Sequence, residues 1–167
     1  SAASPQPDAH LGIHATGIVL GAVGLVIRGP SGAGKSLLAL ELMDRWQVTG
    51  PGAWLVGDDR IDVRRHDGAL TMSAPARMAG LIELRGYGIV ERPFRPTAPI
   101  DLVIDLVEDL VRLPEPESFA DELLGVRLPR CPVPRRGVVD SGHQMQLVAQ
   151  ALRHVAASGL GKTQEIT

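Results

Sequence analysis

The sequence predicts an α/β fold, a P-loop-containing mixed β-sheet packed with helices, and three observations carry that expectation. The apolar run Leu25-Val26-Ile27 passes into Gly29-Pro30-Ser31-Gly32-Ala33-Gly34-Lys35-Ser36, and the helix-forming Leu37-Leu38-Ala39-Leu40-Glu41-Leu42 follows. That is strand, glycine-rich loop and helix in the order a phosphate-binding loop requires. Short strand-like runs recur along the chain while stretches with helical spacing are few, which gives a mixed sheet with helices on it and not a regular βαβ alternation.

Each residue of the loop pattern has a physical reason. Glycines at 29, 32 and 34 let the backbone bend so that successive N–H groups point inward at phosphate oxygens. The following helix adds unpaired N–H donors and a partial positive charge. Lys35 brings a full charge to the terminal phosphates, and the Ser36 hydroxyl suits a Mg²⁺ ion. Residues 29–36 are therefore the expected nucleotide-binding segment, with Pro30, Ser31 and Ala33 as its spacers.

Before the loop, Ala15–Leu20 and Gly24–Ile27 read as two strands around a Gly21-Ala22-Val23 turn. The helix is expected to end near Trp46-Gln47, at the Gly50-Pro51-Gly52 break. Ala53–Val56 is a short apolar strand delivering two carboxylates, Asp58 and Asp59. Ile61–Arg64 and Ala69–Met72 alternate like strands, with His66-Asp67-Gly68 as their turn. Leu81–Leu84 is a further strand before the turn Arg85-Gly86-Tyr87-Gly88. Ile100–Val107 reads as a central strand, a proline-punctuated loop covers Leu113–Ser118, Gly125–Leu128 is extended, and His143–Ala157 is a helix. Residues 1–10 are expected to be a disordered N-terminal segment, 11–158 a single domain and 159–167 a C-terminal tail.

Composition narrows the partners. With 44% apolar and 22% charged residues in 167 the chain suits a globular domain, and 3% aromatics leaves the core to Leu, Val, Ile and Ala. A net charge of −2 and so few stacking side chains argue against nucleic acid. The longest apolar stretch, Ile18–Ile27, is interrupted by glycines and is far short of a membrane span. One cysteine, Cys131, excludes an internal disulfide and, with no signal-peptide pattern, points to a cytoplasmic setting.

Phosphoryl transfer needs a carboxylate near the loop, and Asp58 and Asp59 follow an apolar strand where such a group would stand. Adjacent acids on a strand end point in opposite directions, so one of the two is expected to face the phosphates; both also fit as turn-forming aspartates. Glu83 lies within a short apolar strand, where a carboxylate either serves the site or faces solvent. Taken alone, His14 and Arg112 read more readily as structural or surface residues than as catalytic ones, and the remaining histidines show no metal-ligand spacing.

In order, His14-Ala15-Thr16, the phosphate loop, Leu55-Val56-Gly57-Asp58-Asp59 and Ala79-Gly80-Leu81-Ile82-Glu83-Leu84-Arg85-Gly86-Tyr87-Gly88-Ile89 resemble the catalytic domain of HPr kinase/phosphorylase over roughly Leu11–Gly137. The last segment, close to I-E-x-R-G-x-G-I, is the most specific. The likeness is to short members lacking an N-terminal domain. It implies a nucleotide-binding core like that of phosphoenolpyruvate carboxykinase, assembled as a homo-oligomer, a hexamer. It also implies transfer of the ATP γ-phosphoryl to a serine of an HPr-type phosphocarrier of the phosphotransferase system, with reverse attack by inorganic phosphate. Asp58 would then be the base, Lys35 the phosphate cation, Ser36 and Glu83 the Mg²⁺ ligands, His14 the active-site histidine and Arg112 the arginine of the loop after the long strand.

Two departures stand out. The family's P-V-x-P-G-R-N reads Pro132-Val133-Pro134-Arg135-Arg136-Gly137 here, in the segment tied to dephosphorylation. Its V-A-D-D reads Val56-Gly57-Asp58-Asp59. The rival readings are a small-metabolite kinase, which would show clearer βαβ alternation and an arginine-rich lid, and a non-catalytic nucleotide-sensing module, against which Asp58 and Glu83 speak.

Overall fold

The computed structural model describes residues 8–50 and 52–160. In chain order the elements are β1 (Ala9–Ile13), β2 (Ala15–Leu20), β3 (Val23–Arg28), α1 (Lys35–Thr49), β4 (Ala53–Gly57), β5 (Ile61–His66), β6 (Ala69–Ser73), β7 (Leu81–Leu84), β8 (Gly88–Glu91), β9 (Thr97–Pro99), β10 (Leu102–Val107), β11 (Ala120–Leu123), β12 (Val126–Pro134) and α2 (Ser141–Val155). The mixed α/β architecture expected from the sequence is present.

The strands form a six-stranded sheet ordered β11-β12-β10-β3-β2-β4, a four-stranded sheet ordered β1-β5-β6-β9, and the hairpin β7-β8. Strand alternation builds the layers. Ile18, Leu20, Leu25, Ile27, Leu55, Leu102 and Ile104 point to one face of the large sheet and pack with Leu38, Leu42 and Met43 of α1 and Val148 of α2. Their neighbours Val19, Val26, Val56 and Val103 point to the other face and pack with Ile61, Val63, Leu70 and Met72 of the smaller sheet. The result is helices, sheet and sheet, with a core on each face of the middle layer.

The two sheets approach closely where the middle layer carries glycine. A Cβ on Gly24 would lie 1.7 Å from the Pro99 carbonyl oxygen, and one on Gly57 would lie 2.4 Å from the Ala74 Cβ. Gly57 is thus matched to its neighbour across the sheets.

Topology sets the site. β10 is parallel to both β3 and β12, and β4 shares their direction because both β3 and β4 run antiparallel to β2. Four strands therefore end at one edge, where the phosphate loop, the 58–59 pair and the segments after β10 and β12 emerge.

Several expectations need correcting. β1 begins at Ala9, inside the segment expected to be disordered, because residues 9–13 pair with residues 61–65 of β5; residues 1–7, the tail from 161 on and Pro51 lie outside the described residues. β12 runs on through Pro129, Pro132 and Pro134, past Leu128, where the extended segment was expected to end. The Arg135 N–H bonds to the Val107 carbonyl of β10, so odd-numbered residues there face β10 and the even-numbered prolines face outward, where no ladder bond is lost. β8 and β11 are short hairpin arms beside β7 and β12, and β9 pairs with the earlier β6; none of the three has a periodicity of its own. α1 runs to Thr49, three residues past Trp46.

Candidate active site

At the end of β3 the chain turns from Gly29 into α1. Gly32 and Gly34 have φ of 84° and 97°, backbone that a side chain disfavours, and Gly34 caps α1 with no side-chain bond. The first-turn N–H groups of α1 are left to face the loop.

Lys35, the first residue of α1, is almost fully buried. Its ammonium donates to the Gly29 carbonyl at 2.8 Å and the Pro30 carbonyl at 3.2 Å, and lies 3.2 Å from His14 Nε2. Burial lowers its pKa below the ordinary lysine value; the carboxylates of Asp59 and Asp58 oppose that, and the Arg85 guanidinium adds to it. An ammonium only donates, so the His14 contact requires an unprotonated Nε2 and puts the ring proton on Nδ1. That nitrogen is 3.2 Å from Asp59 Oδ1.

Asp58 stands on the other side of the loop. Its Oδ1 accepts from the Ser36 hydroxyl at 2.7 Å and the Thr16 hydroxyl at 2.9 Å, and its Oδ2 accepts from the Glu83 backbone N–H at 3.3 Å. Three separate segments, β2, α1 and β7, therefore fix one carboxylate. The two adjacent acids do diverge, but both belong to the site: Asp59 turns back to His14 with φ of 68°.

Of the residues singled out from the sequence, His14, Gly29, Pro30, Lys35, Ser36 and Asp58 are joined by these bonds. Ser31, Gly32, Ala33 and Gly34 complete the loop, held by the Ala33 N–H to the Pro30 carbonyl at 3.0 Å. Glu83 is present through its main chain; its side chain is exposed. Arg112 is not gathered in. It lies in the exposed loop after β10 and has no hydrogen bond or ion pair among the described residues. Three residues without an assigned role do belong: Thr16, Asp59 and Arg85. Arg85 could have been found by its two-residue spacing from Glu83, whereas Thr16, in β2 with His14 just before that strand, carries no local signal of its place in the site.

The donor set around Ser36 and Asp58 is oxygen only, hydroxyl and carboxylate, which suits a hard divalent ion that takes most of its remaining ligands from phosphate and water. Among the described residues no cluster of three His, Cys, Asp or Glu forms a separate metal cage.

The family model described as HPr Serine kinase C-terminal domain matches residues 9–163. The HPr kinase/phosphorylase of Geobacillus thermodenitrificans is 36% identical over 141 residues, covering 74% of this chain and 42% of that protein. That of Clostridium kluyveri is 45% identical over 69 residues, 41% of this chain and 20% of that protein. The chain thus spans well under half the length of the curated relatives it matches. Among solved structures, the HPr(Ser) kinase/phosphatase from Coxiella burnetii superposes with a TM-score of 0.70 at 26% identity, covering 89% of this chain and 97% of that one.

Proposed function

The chain belongs to the HPr serine kinase C-terminal domain family, and on that premise we propose that it is an ATP- and Mg²⁺-dependent kinase of a serine on an HPr-type phosphocarrier protein. The observation that carries the reading is the Asp58 carboxylate bonded to Ser36 of the phosphate loop at 2.7 Å, a base set directly beside the seat for the phosphates.

The residues divide the work by chemistry. Lys35 and the loop N–H groups take up charge on the transferred phosphoryl. Asp58 Oδ1 already accepts two bonds, while Oδ2 accepts one long one, so the free lone pair for a serine proton is on Oδ2. His14, oriented by Asp59, keeps the Lys35 ammonium aimed at the loop. Ser36, with Glu83 swung in from β7, would hold Mg²⁺, which when bound supplies neutralising charge to the β- and γ-phosphates. Arg112 enters this reading only through the family likeness.

Reverse attack by inorganic phosphate would use the same groups, Asp58 then giving its proton back. The altered segment bears on it: Arg135 is tied to Glu108, and Arg136 to Glu41 and Gln144, so both arginines are occupied by partners other than the phosphate loop. A cytoplasmic setting fits the free, buried Cys131 thiol, whose pKa burial pushes up to about 11, and the hexameric assembly of the family is part of the proposal.

The test uses purified protein, labelled ATP, Mg²⁺ and candidate carriers. Asp58→Asn should keep ATP affinity and lose transfer by roughly 10²–10⁴-fold, whereas Lys35→Ala should weaken ATP binding as well. Transfer by Asp58→Asn at the wild-type rate would rule out the base, and preferential transfer to a small metabolite would rule out the carrier.

A further inference from the structure

β3 and β12 run in the same direction and each is followed by a helix, so α1 and α2 start from one edge and lie on one face of the large sheet. α1 sits over β2 and β4, and α2 over β12 and β10, which leaves the space between the helices open. The groove there encloses about 880 Å³ and is lined by both helices and the β7-β8 hairpin. None of the residues placed in the active site lines it.

Its floor is apolar and its rim is cationic. Leu40 and Met145 are buried beneath it, while Leu37 and Val48, about three turns apart on α1, are 40% and 86% exposed. Glu41 and Asp44 stand on the same stripe of α1 and would make it acidic. Arginines brought from three elements cancel them. Glu41 receives Arg45 at 3.5 Å and also Arg136, which follows β12, and Asp44 receives Arg92, which follows β8, at 3.1 Å. A fourth, Arg153 of α2, is exposed and bonds to Gln150 at 3.3 Å. Four guanidiniums therefore line the groove with two carboxylates, on a chain whose net charge is −2. Each guanidinium carries five N–H donors, so the paired ones keep donors for a carboxylate from outside.

We propose that this groove docks an acidic amphipathic helix of a partner protein, its apolar side on Leu37, Leu40, Met145 and Val48 and its carboxylates on Arg45 and Arg153. The 15 residues of α1 give the groove a length of about 22 Å, which suits a helix laid along it with anchors at helical spacing. Charge selects the occupant. A second copy meeting this face about a two-fold axis would bring the same excess of arginines to it, and like charges would oppose each other. The inference stands apart from the kinase reading.

Fluorescence anisotropy on the full chain tests it. The probe is a labelled synthetic peptide of about 15 residues, with leucines at helical spacing, glutamates flanking them and alanines between. A counterpart carries lysine at every glutamate. The acidic peptide should saturate the protein below about 1 mM and bind more weakly as salt rises, and the lysine peptide should bind at least about 10-fold more weakly. Val48→Glu and Arg153→Glu alter exposed side chains and should leave the urea midpoint unchanged, yet each should lower affinity for the acidic peptide about 10-fold. Arg127→Glu, at an exposed position of β12 outside the groove, should match wild type. Equal binding of the two peptides, no saturation by the acidic one, or unchanged affinity in both groove variants overturns the proposal. So does a fall in assembly mass in Val48→Glu, read by sedimentation, which would give the face to a second copy.

Discussion

Thr16 is fully buried, and its hydroxyl proton goes to the carboxylate oxygen that also receives Ser36. Such a residue acts through Asp58 and not on a substrate. Thr16→Val keeps the shape and removes the donor, so Asp58 keeps only one side-chain bond to hold its plane. The expected outcome is a fall in kcat of about 10-fold with KM for ATP within about twofold, at a stability cost of about 1 kcal/mol. Thr16→Ser should restore the rate. Initial rates at saturating ATP, alongside urea unfolding, check it, and a change in KM with kcat intact would show that Thr16 serves nucleotide binding instead. At this scale the sequence was legible where one motif held all the parts, as in residues 29–36. It was not legible where the partner lies tens of residues away: nothing in the local pattern says that Thr16 faces Asp58, 42 positions on.

Among the elements, β3 carries the heaviest constraints. It is buried between two partners, feeds the phosphate loop, and at Gly24 admits the Pro99 carbonyl into the space a side chain would fill. The Gly24 N–H also bonds to the buried Asp101 carboxylate at 2.9 Å, which burial raises above the usual carboxylate range. A methyl there must push backbone, not a flexible side chain, so Gly24→Ala should cost about 3 kcal/mol. Gly12→Ala on β1, where the nearest atom would be 3.7 Å away, should be neutral; denaturant midpoints for the two variants compare them directly. Element reading from sequence succeeded for β2, β3, β4, β7 and both helices, whose apolar spacing is local. It failed for β12 because proline reads as a break unless one knows which side of the strand lacks a partner.

Across the whole molecule, one charge cluster ties the large sheet together. Arg28 at the end of β3 makes two 2.7 Å bonds to Asp105 of β10, and reaches Asp121 of β11 as well, while Arg130 of β12 joins the same Asp105. Four strands and the base of the phosphate loop meet there. Burial alone would raise the Asp105 carboxyl, but the bonds from Arg28 and Arg130 outweigh it and hold the group below its ordinary value. An acid whose pKa is depressed by folding contributes stability at pH above its unfolded value, and that contribution is lost as pH falls through the folded one. Unfolding free energy should therefore decline below about pH 4, and Asp105→Asn should flatten that decline while costing about 3 kcal/mol at neutral pH. Urea titrations from pH 3 to pH 8 check both. The layer order was readable in outline from the strand-rich pattern, but the pairing of β10 with β3 across 77 residues and the second sheet beneath were not, because long-range register leaves no local mark.

The outward prolines of β12 have a consequence for how copies of this domain meet. Beyond Pro129, β11 no longer covers the outer margin of the sheet, and at Pro132 and Pro134 that margin has no amide hydrogen to give. A visiting strand would find no donor at either proline, and the Pro134 carbonyl already accepts from the Gln144 side chain at 2.9 Å, so templated β-addition is blocked there. A second copy meeting this margin would have to be held there by side chains and not by a shared β-ladder.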